Sequence, residues 1–177
     1  MPFYDQYVEV MLSAEKIAAR TKELGEQITR DYQGKDLTLV GIMKGSLPFL
    51  TDLARHVDLP VTIEVMGVSS YQGGTETTGE VRITHDLTKP MANRHLLIVE
   101  DIIDTGLTMK FLIENLSARH PASVKVCTLL EKPSRAKVKV TIDYKGFVIE
   151  DRFVVGYGLD YGEKYRNLPF VGVMRTD

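Results

Sequence analysis

The chain has 177 residues and a formal net charge of -2, with hydrophobic residues at 44% and charged ones at 26%. This composition predicts a single globular domain over 1–177, and the small net charge argues against nucleic acid or an anionic membrane surface as a partner. No basic and apolar leader opens the chain, no stretch is long enough to span a membrane, and Cys127 is the only cysteine, so we expect a cytoplasmic protein.

The first part of the chain predicts two helices separated by a buried strand. Residues at helical spacing indicate the first helix, at Ile17, Thr21, Leu24 and Ile28. The apolar run 37–43 follows a polar stretch and predicts a strand that is covered on both faces. Pro48 lies near the start of a second helix within 47–57, whose apolar face comprises Phe49, Leu50, Leu53 and Val57.

A strand and a long loop are predicted next. Val61, Ile63 and Val65 alternate along the chain, as apolar residues do in a strand. Segment 69–81 holds three glycines and many small polar residues, which predicts a mobile loop. This segment is longer than an ordinary connection in a compact domain, and its length favours a functional loop over a simple surface turn.

The remaining chain predicts one helix among several strands. The apolar run that begins at Leu96 and ends in Glu100 and Asp101 indicates a strand, as does the run 124–130, and shorter runs begin at Phe147, Phe153 and Phe170. A helix that stops near His120 and Pro121 is indicated by apolar residues at helical spacing: Met109, Leu112, Ile113 and Leu116. Strands alternating with helices predict an α/β fold, a parallel sheet flanked by helices with a small hood from the termini.

Segment 96–108, LLIVEDIIDTGLT, carries the strongest indication of function. Glu100, Asp101 and Asp104 are three carboxylates within five positions at the end of a predicted buried strand, where open α/β folds bind ligands. The backbone N–H groups of 104–108 can form a phosphate-binding nest at the following helix start. An alternative is that Asp104 only caps the helix. Crowded like charges with no structural benefit favour the functional interpretation.

Several common motifs do not occur in the sequence. No G-x-G-x-x-G follows a strand, so a dinucleotide fold of the usual kind is not expected. In GIMKGS, Lys44 precedes Gly45, and the spaced glycine of a nucleoside-triphosphate P-loop is missing.

Four segments together resemble the hypoxanthine-guanine phosphoribosyltransferases, type I purine phosphoribosyltransferases, in their short bacterial form. The resemblance spans essentially the whole chain, and its segments are MKGS at 43–46, VEDIIDTGLT at 99–108, LLEKPSR at 129–135 and FVVGYGLDYGEKYRNLP at 153–169. It implies a type I phosphoribosyltransferase-like fold and a reaction in which hypoxanthine or guanine displaces pyrophosphate from C1 of phosphoribosyl pyrophosphate. Mg²⁺ is the implied cofactor, and a homodimer or homotetramer is the implied assembly.

The resemblance assigns roles within the acidic segment. Glu100 and Asp101 match residues that lie near the ribose hydroxyls and a magnesium ion, and Asp104 matches a proposed general base toward N7 of the purine. Because a carboxylate at a helix start is a weak base, electrostatic stabilisation of the ribosyl cation is expected to be the larger contribution. The 5′-phosphate is assigned to Thr105, Gly106, Leu107 and Thr108.

The pyrophosphate end of the site is assigned to two basic segments. Lys44 and Gly45 resemble the family's pyrophosphate loop, which often has a cis peptide just before the lysine, whereas an exposed lysine in a turn is usually only solubilising. Ser46 stands where the family more often has a second glycine. Arg166 resembles the arginine that binds pyrophosphate, and Asp160 resembles a second magnesium ligand.

The base end is assigned to the last two segments of the resemblance. Lys132 matches a lysine that donates to O6 of the purine, and Arg135 is expected to support that lysine segment. Phe153 matches an aromatic that stacks on the base, although from its run alone it is better explained as a core aromatic. Val154 matches a residue whose backbone contacts the purine edge.

The resemblance also implies a lid over the site, and two alternative functions remain. Ser70 and Tyr71 open the glycine-rich loop, which in the family closes over the reaction centre and excludes water. One rival is a xanthine- or pyrimidine-specific phosphoribosyltransferase. The other is a non-catalytic regulator that senses phosphoribosyl pyrophosphate and binds nucleic acid, which the absence of a basic excess argues against.

Overall fold

The structure, a computed structural model, describes residues 3–70 and 81–175. Within these ranges the helices and strands are β1 (Val8–Leu12), α1 (Ala14–Asp31), β2 (Leu37–Met43), α2 (Leu47–His56), β3 (Thr62–Ser70), β4 (Val81–His85), β5 (His95–Ile103), α3 (Leu107–Ser117), β6 (Ser123–Glu131), β7 (Tyr144–Val148), β8 (Val154–Val155) and β9 (Val171–Met174). Short 3-10 helices occupy Phe3–Gln6 and Pro133–Arg135.

The larger sheet has six strands in the order β4-β3-β2-β5-β6-β7 and is parallel except for β4. Alternate residues of its central strands enter different cores. In β5, Leu97 and Val99 pack with α1 and α2, whereas Leu96 and Ile98 pack with α3. Both faces are therefore covered, as the continuous apolar runs predicted.

A second, three-stranded sheet has the order β1-β9-β8 and is antiparallel. It joins a strand near the amino end to strands near the carboxyl end, so the predicted hood is confirmed. Val154 and Val173 of this sheet belong to the same core cluster as the inner faces of α1 and α2. The Tyr157 hydroxyl also donates to Asp52 of α2 over 2.6 Å, which ties the hood to the main sheet's helical layer.

Strand β3 buries one of its faces more deeply than the other. Ile63 is 50% exposed, whereas Glu64 and Met66 on the other face are buried. Glu64 accepts hydrogen bonds from the backbone N–H and the hydroxyl of Thr88, and these bonds offset the cost of burying its carboxylate. The strand predicted from the alternation of Val61, Ile63 and Val65 is present, and the face that carries Ile63 is the more exposed one.

The glycine-rich segment is described only at its ends. Ser70 was expected to open a loop, but its backbone closes β3 and pairs with Val81, the first residue of β4. Strand β4 was not predicted: Val81–His85 alternates in polarity, but the run is only five residues long and directly follows the glycine-rich segment. Tyr71 and the rest of the predicted loop lie outside the described residues.

The cysteine lies in the core of the described part of the chain. Cys127 is fully buried in β6, and burial raises the pKa of its thiol well above the ordinary value, as suits an inert core residue. Among the helices at 3–70 and 81–175, none has the length and apolar character needed to cross a membrane.

Candidate active site

The carboxyl end of β5 brings two acidic side chains into the interior. Glu100 is buried, and its carboxylate accepts a hydrogen bond from the backbone N–H of Asp101 at 3.2 Å. Asp101 in turn accepts from the N–H of Ile102 at 2.8 Å. Burial raises the pKa of both carboxyl groups, and the neighbouring Asp101 raises that of Glu100 further. This buried acidic pair is poised to accept hydroxyl donors or a cation.

Glu100→Gln is expected to raise the melting temperature of the free protein at neutral pH. Ionising Glu100 beside Asp101 in a buried site costs free energy, and an isosteric amide avoids that cost. Below the ordinary carboxyl pKa, Glu100 is protonated in both the folded and the unfolded protein, so its ionisation costs no stability. This cost grows as the pH rises from the ordinary pKa toward the raised pKa of the folded state. About 1 kcal/mol shifts the Tm of a chain of this size by roughly 2–4 °C.

Scanning calorimetry of the wild type and Glu100→Gln across acidic and neutral pH measures this effect. The difference in Tm should shrink as the pH falls below about 4.5. A variant that is less stable than the wild type at neutral pH would show that the carboxylate of Glu100 stabilises the fold.

The turn after β5 forms a small cavity of about 100 Å³, whose lining includes Asp104, Thr105, Gly106 and Thr108. Helix α3 begins directly behind it, with Gly106 as its N-cap at φ 81 and the Leu107 N–H directed to the Thr105 hydroxyl at 3.4 Å. The helix dipole and free amides at such a start attract a phosphate group.

Asp104 does not cap α3, so the capping alternative is wrong. Its Oδ1 instead accepts a hydrogen bond from Nε of Arg135 at 2.8 Å. Arg135 was expected to support the lysine segment, and in the structure it does so by linking that segment to Asp104. Backbone bonds strengthen the link, because the N–H of Lys137 donates to the Thr105 carbonyl at 2.9 Å.

Lys132 lies beside Asp104, at the end of β6. Its backbone N–H donates to the Ile103 carbonyl at 3.0 Å, and its side chain is buried with Nζ 3.6 Å from Oδ1 of Asp151. Asp151 Oδ2 is also 3.6 Å from Nη1 of Arg135. Asp151 therefore joins the two basic residues, a role that no motif in the sequence indicated.

The turn between β2 and α2 passes directly over the acidic pair. The Met43–Lys44 peptide bond is cis. A Cβ added to Gly45 would lie 1.8 Å from Oδ2 of Asp101, so any larger residue here would displace the Asp101 carboxylate. Ser46, which departs from the family's second glycine, is buried and donates its hydroxyl to the Ile42 carbonyl at 2.7 Å.

The turn after β8, in the hood, contacts the turn between β2 and α2. Gly158 has φ +101, and a Cβ there would lie 1.8 Å from the carbonyl oxygen of Gly45. Further along the turn, Nη1 of Arg166 donates to the Gly158 carbonyl at 2.7 Å, and its Nη2 is 3.0 Å from Oδ1 of Asp160. The structure thus brings the predicted Lys44, Asp101, Asp160 and Arg166 into one site.

Glu163 stands between two of the predicted basic residues. Its Oε2 is 2.6 Å from Nζ of Lys44, and its Oε1 is 2.8 Å from Nη2 of Arg166. These two basic groups hold the pKa of Glu163 below its ordinary value. Sequence reasoning missed Glu163, although it lies within the segment 153–169 that carried the resemblance.

Phe153 lies on the surface rather than in the core. Its side chain is 55% exposed just before β8, and its ring meets the Tyr161 ring edge to face with centroids 5.6 Å apart. The interpretation of Phe153 as a core aromatic is therefore wrong. Val154, the next residue, is buried in β8 and pairs with Val173.

The fold agrees with comparisons to known proteins. Residues 8–162 match the family model of the phosphoribosyl transferase domain. The chain is 48% identical to the hypoxanthine-guanine phosphoribosyltransferase of Streptococcus pneumoniae and 50% identical to that of Staphylococcus aureus, each over 96% of this chain and 94% of the relative. The chain belongs to the phosphoribosyltransferase family, and within it to the group of hypoxanthine-guanine phosphoribosyltransferases.

Solved structures give the same result. A hypoxanthine phosphoribosyltransferase from Staphylococcus aureus superposes with a TM-score of 0.91 at 51% identity, covering 94% of this chain and 91% of that one. The hypoxanthine phosphoribosyl transferase of Trypanosoma cruzi gives a TM-score of 0.92 at 37% identity, covering 98% and 95%. The type I phosphoribosyltransferase fold expected from the sequence is confirmed.

Proposed function

We propose that this protein transfers the phosphoribosyl group of phosphoribosyl pyrophosphate to hypoxanthine, guanine or both, a purine salvage reaction that releases pyrophosphate. The supporting observation is the arrangement around Asp104: a phosphate-sized nest on one side, the buried acidic pair behind it, and the buried ammonium of Lys132 beside it. The identity to hypoxanthine-guanine phosphoribosyltransferases supports the same substrate class.

The acidic segment serves the sugar. The backbone N–H groups and hydroxyls of residues 105–108 bind the 5′-phosphate, and Glu100 and Asp101 accept hydrogen bonds from the ribose hydroxyls. As the bond to pyrophosphate lengthens, positive charge develops at C1. The carboxylate of Asp104 stabilises that charge and accepts the proton that the purine loses.

Lys132 and the hood serve the base. The ammonium of Lys132 has donors only, so it pairs with the carbonyl O6 of a 6-oxopurine. The exposed ring of Phe153 is free on one face to stack on the purine, and the backbone of Val154 meets the purine edge. Asp151 and Arg135 link Lys132 to Asp104 through a chain of ion pairs.

The opposite end holds pyrophosphate. Lys44 supplies a point charge, Gly45 lets the backbone approach the leaving group, and the guanidinium of Arg166 binds phosphate oxygens. Arg166 Nε is buried and has no hydrogen-bond partner within the described residues, so one donor of this group remains for a ligand. We propose Ser70 and Tyr71 as part of the cover over this end.

Oxygen donors around the site suit Mg²⁺. Asp160, Glu100 and Asp101 offer carboxylates, and magnesium in phosphate sites is held by one or two carboxylates, substrate phosphates and water. When bound, the ion neutralises charge on the leaving pyrophosphate. We propose that the enzyme is cytoplasmic and assembles as a homodimer or homotetramer. Light scattering of the purified protein measures the mass of the assembly.

Chelation is expected to abolish turnover by removing the ion that neutralises pyrophosphate. Activity with hypoxanthine should vanish in excess EDTA and return on addition of magnesium. A pyrophosphate-release assay before and after the addition measures both steps. Full activity in excess chelator would contradict the assignment of Asp160 to a metal site.

A panel of bases tests the proposed function itself. The protein is mixed with phosphoribosyl pyrophosphate, magnesium and, separately, hypoxanthine, guanine, xanthine, adenine and uracil, and pyrophosphate release is followed. Turnover with hypoxanthine or guanine supports the proposal. Turnover confined to xanthine or uracil would reassign the base, and no turnover with any base would favour a regulator that only senses phosphoribosyl pyrophosphate.

A further inference from the structure

The carboxylate of Glu163 occupies the space between the two cations assigned to pyrophosphate. One of its oxygens is 2.6 Å from Nζ of Lys44, and the other is 2.8 Å from Nη2 of Arg166. A phosphate group would bridge Lys44 and Arg166 in the same way, with one oxygen paired to each cation. Glu163 therefore makes, within the protein, the contacts that the leaving group needs.

We propose that Glu163 is a displaceable internal anion that competes with pyrophosphate, free or within phosphoribosyl pyrophosphate, for Lys44 and Arg166. The inference rests on the proposed function, because that function places pyrophosphate at these two residues. Glu163 lowers the affinity for the substrate's diphosphate and for the product in equal measure. It thereby helps pyrophosphate leave after each transfer.

Local structure allows the exchange. The side chain of Glu163 is 62% exposed, and it sits in a tight turn where Tyr161 and Lys164 form an isolated bridge. Its backbone N–H is held by Oδ2 of Asp160 at 2.9 Å, so the turn stays in place when the carboxylate swings into solvent. Asp160 does not compete in the same way, since its ion pair is with Arg166 alone among the described basic residues.

Charge makes the two bound states exclusive. A phosphate between Lys44 and Arg166 would place negative charge against the Glu163 carboxylate, which then has to leave. Only the fraction of molecules with the two cations uncovered binds the ligand, and the apparent affinity falls by that fraction. When pyrophosphate departs, Glu163 covers the cations again.

Glu163→Gln tests the competition because it keeps the shape and removes the charge. Titration calorimetry with inorganic pyrophosphate and magnesium should show about fivefold tighter binding than the wild type, the scale expected from two exposed ion pairs. The inhibition constant for pyrophosphate in the transfer assay should fall by the same factor. A purely structural role would weaken binding or leave it unchanged.

Two further variants serve as a second test and a control. Glu163→Gly also removes the carboxylate, and since Glu163 has φ 65, glycine adopts its backbone conformation without strain. Glu26→Gln removes one exposed carboxylate from α1, where it pairs with Lys22, and should leave pyrophosphate binding unchanged.

Failure of the Glu163 competition can be distinguished from failure of the proposed function. If the wild type turns over hypoxanthine and both Glu163 variants bind pyrophosphate no more tightly than it does, the competition is overturned and the proposed function stands. If no base gives turnover, the proposed function fails. Tighter pyrophosphate binding by both variants would then still support Glu163 as the competitor at an anion site.

Discussion

Asp104→Asn is expected to lower kcat by roughly a hundredfold to ten-thousandfold, the usual range for a lost general base or charge stabiliser. Asparagine keeps an oxygen that can accept the hydrogen bond from Arg135, so the variant removes charge with little change of shape. Because Gly106 rather than Asp104 is the N-cap of α3, the melting temperature should stay close to that of the wild type. Steady-state kinetics with hypoxanthine and calorimetry measure the two quantities.

Arg135→Gln is the matched control for this prediction. It breaks the ion pair with Asp104 and leaves the carboxylate in place, so the loss of kcat should be much smaller than in Asp104→Asn. Near-normal kcat in Asp104→Asn together with a lower melting temperature would contradict the catalytic role. Asp104 would then be a structural partner of Arg135.

Adenine is expected to be a very poor substrate, and Lys132 is a main reason. The Lys132 ammonium faces an amino group in adenine where 6-oxopurines present an acceptor, and two donors cannot pair. Discrimination by an unpaired polar group in a buried site reaches the order of ten-thousandfold in kcat/KM. Lys132→Met keeps much of the aliphatic stem and removes the donors.

Activity of Lys132→Met toward hypoxanthine should drop sharply, while the slight activity toward adenine changes little. The ratio of kcat/KM for the two bases should therefore narrow. Lys125→Met, on the same strand, gives a control for loss of one lysine. An unchanged ratio in Lys132→Met would assign base selection elsewhere, to the backbone around Val154.

The main sheet was predictable because its central strands are buried on both faces. A strand with that environment has to be apolar, and runs such as 37–43 and 96–99 are visible without any knowledge of their neighbours. Helix α1 was equally clear, since its buried residues keep helical spacing. The site residues at the ends of these strands were predicted from the segments that carry the family resemblance.

Features that depend on distant partners were not predictable. The burial of Glu64 depends on hydrogen bonds from Thr88, a residue on another segment. Phe153 lies outside the core because β8 begins only at the next residue. Asp151 and Glu163 gain their importance from contacts with Lys132 and Lys44, and their own neighbours in sequence give no sign of those contacts.

The close approach of Gly45 to Asp101 and of Gly158 to the Gly45 carbonyl has a consequence for how substrate preference can change. The two halves of the pocket touch through main chain and a buried acid, so their spacing is independent of the side chains at the rim. Directed evolution toward a new base can therefore vary the exposed rim residues Phe153 and Tyr161 without changing this spacing. Libraries that randomise position 158, where a Cβ would meet the Gly45 carbonyl, should yield almost no folded, active members.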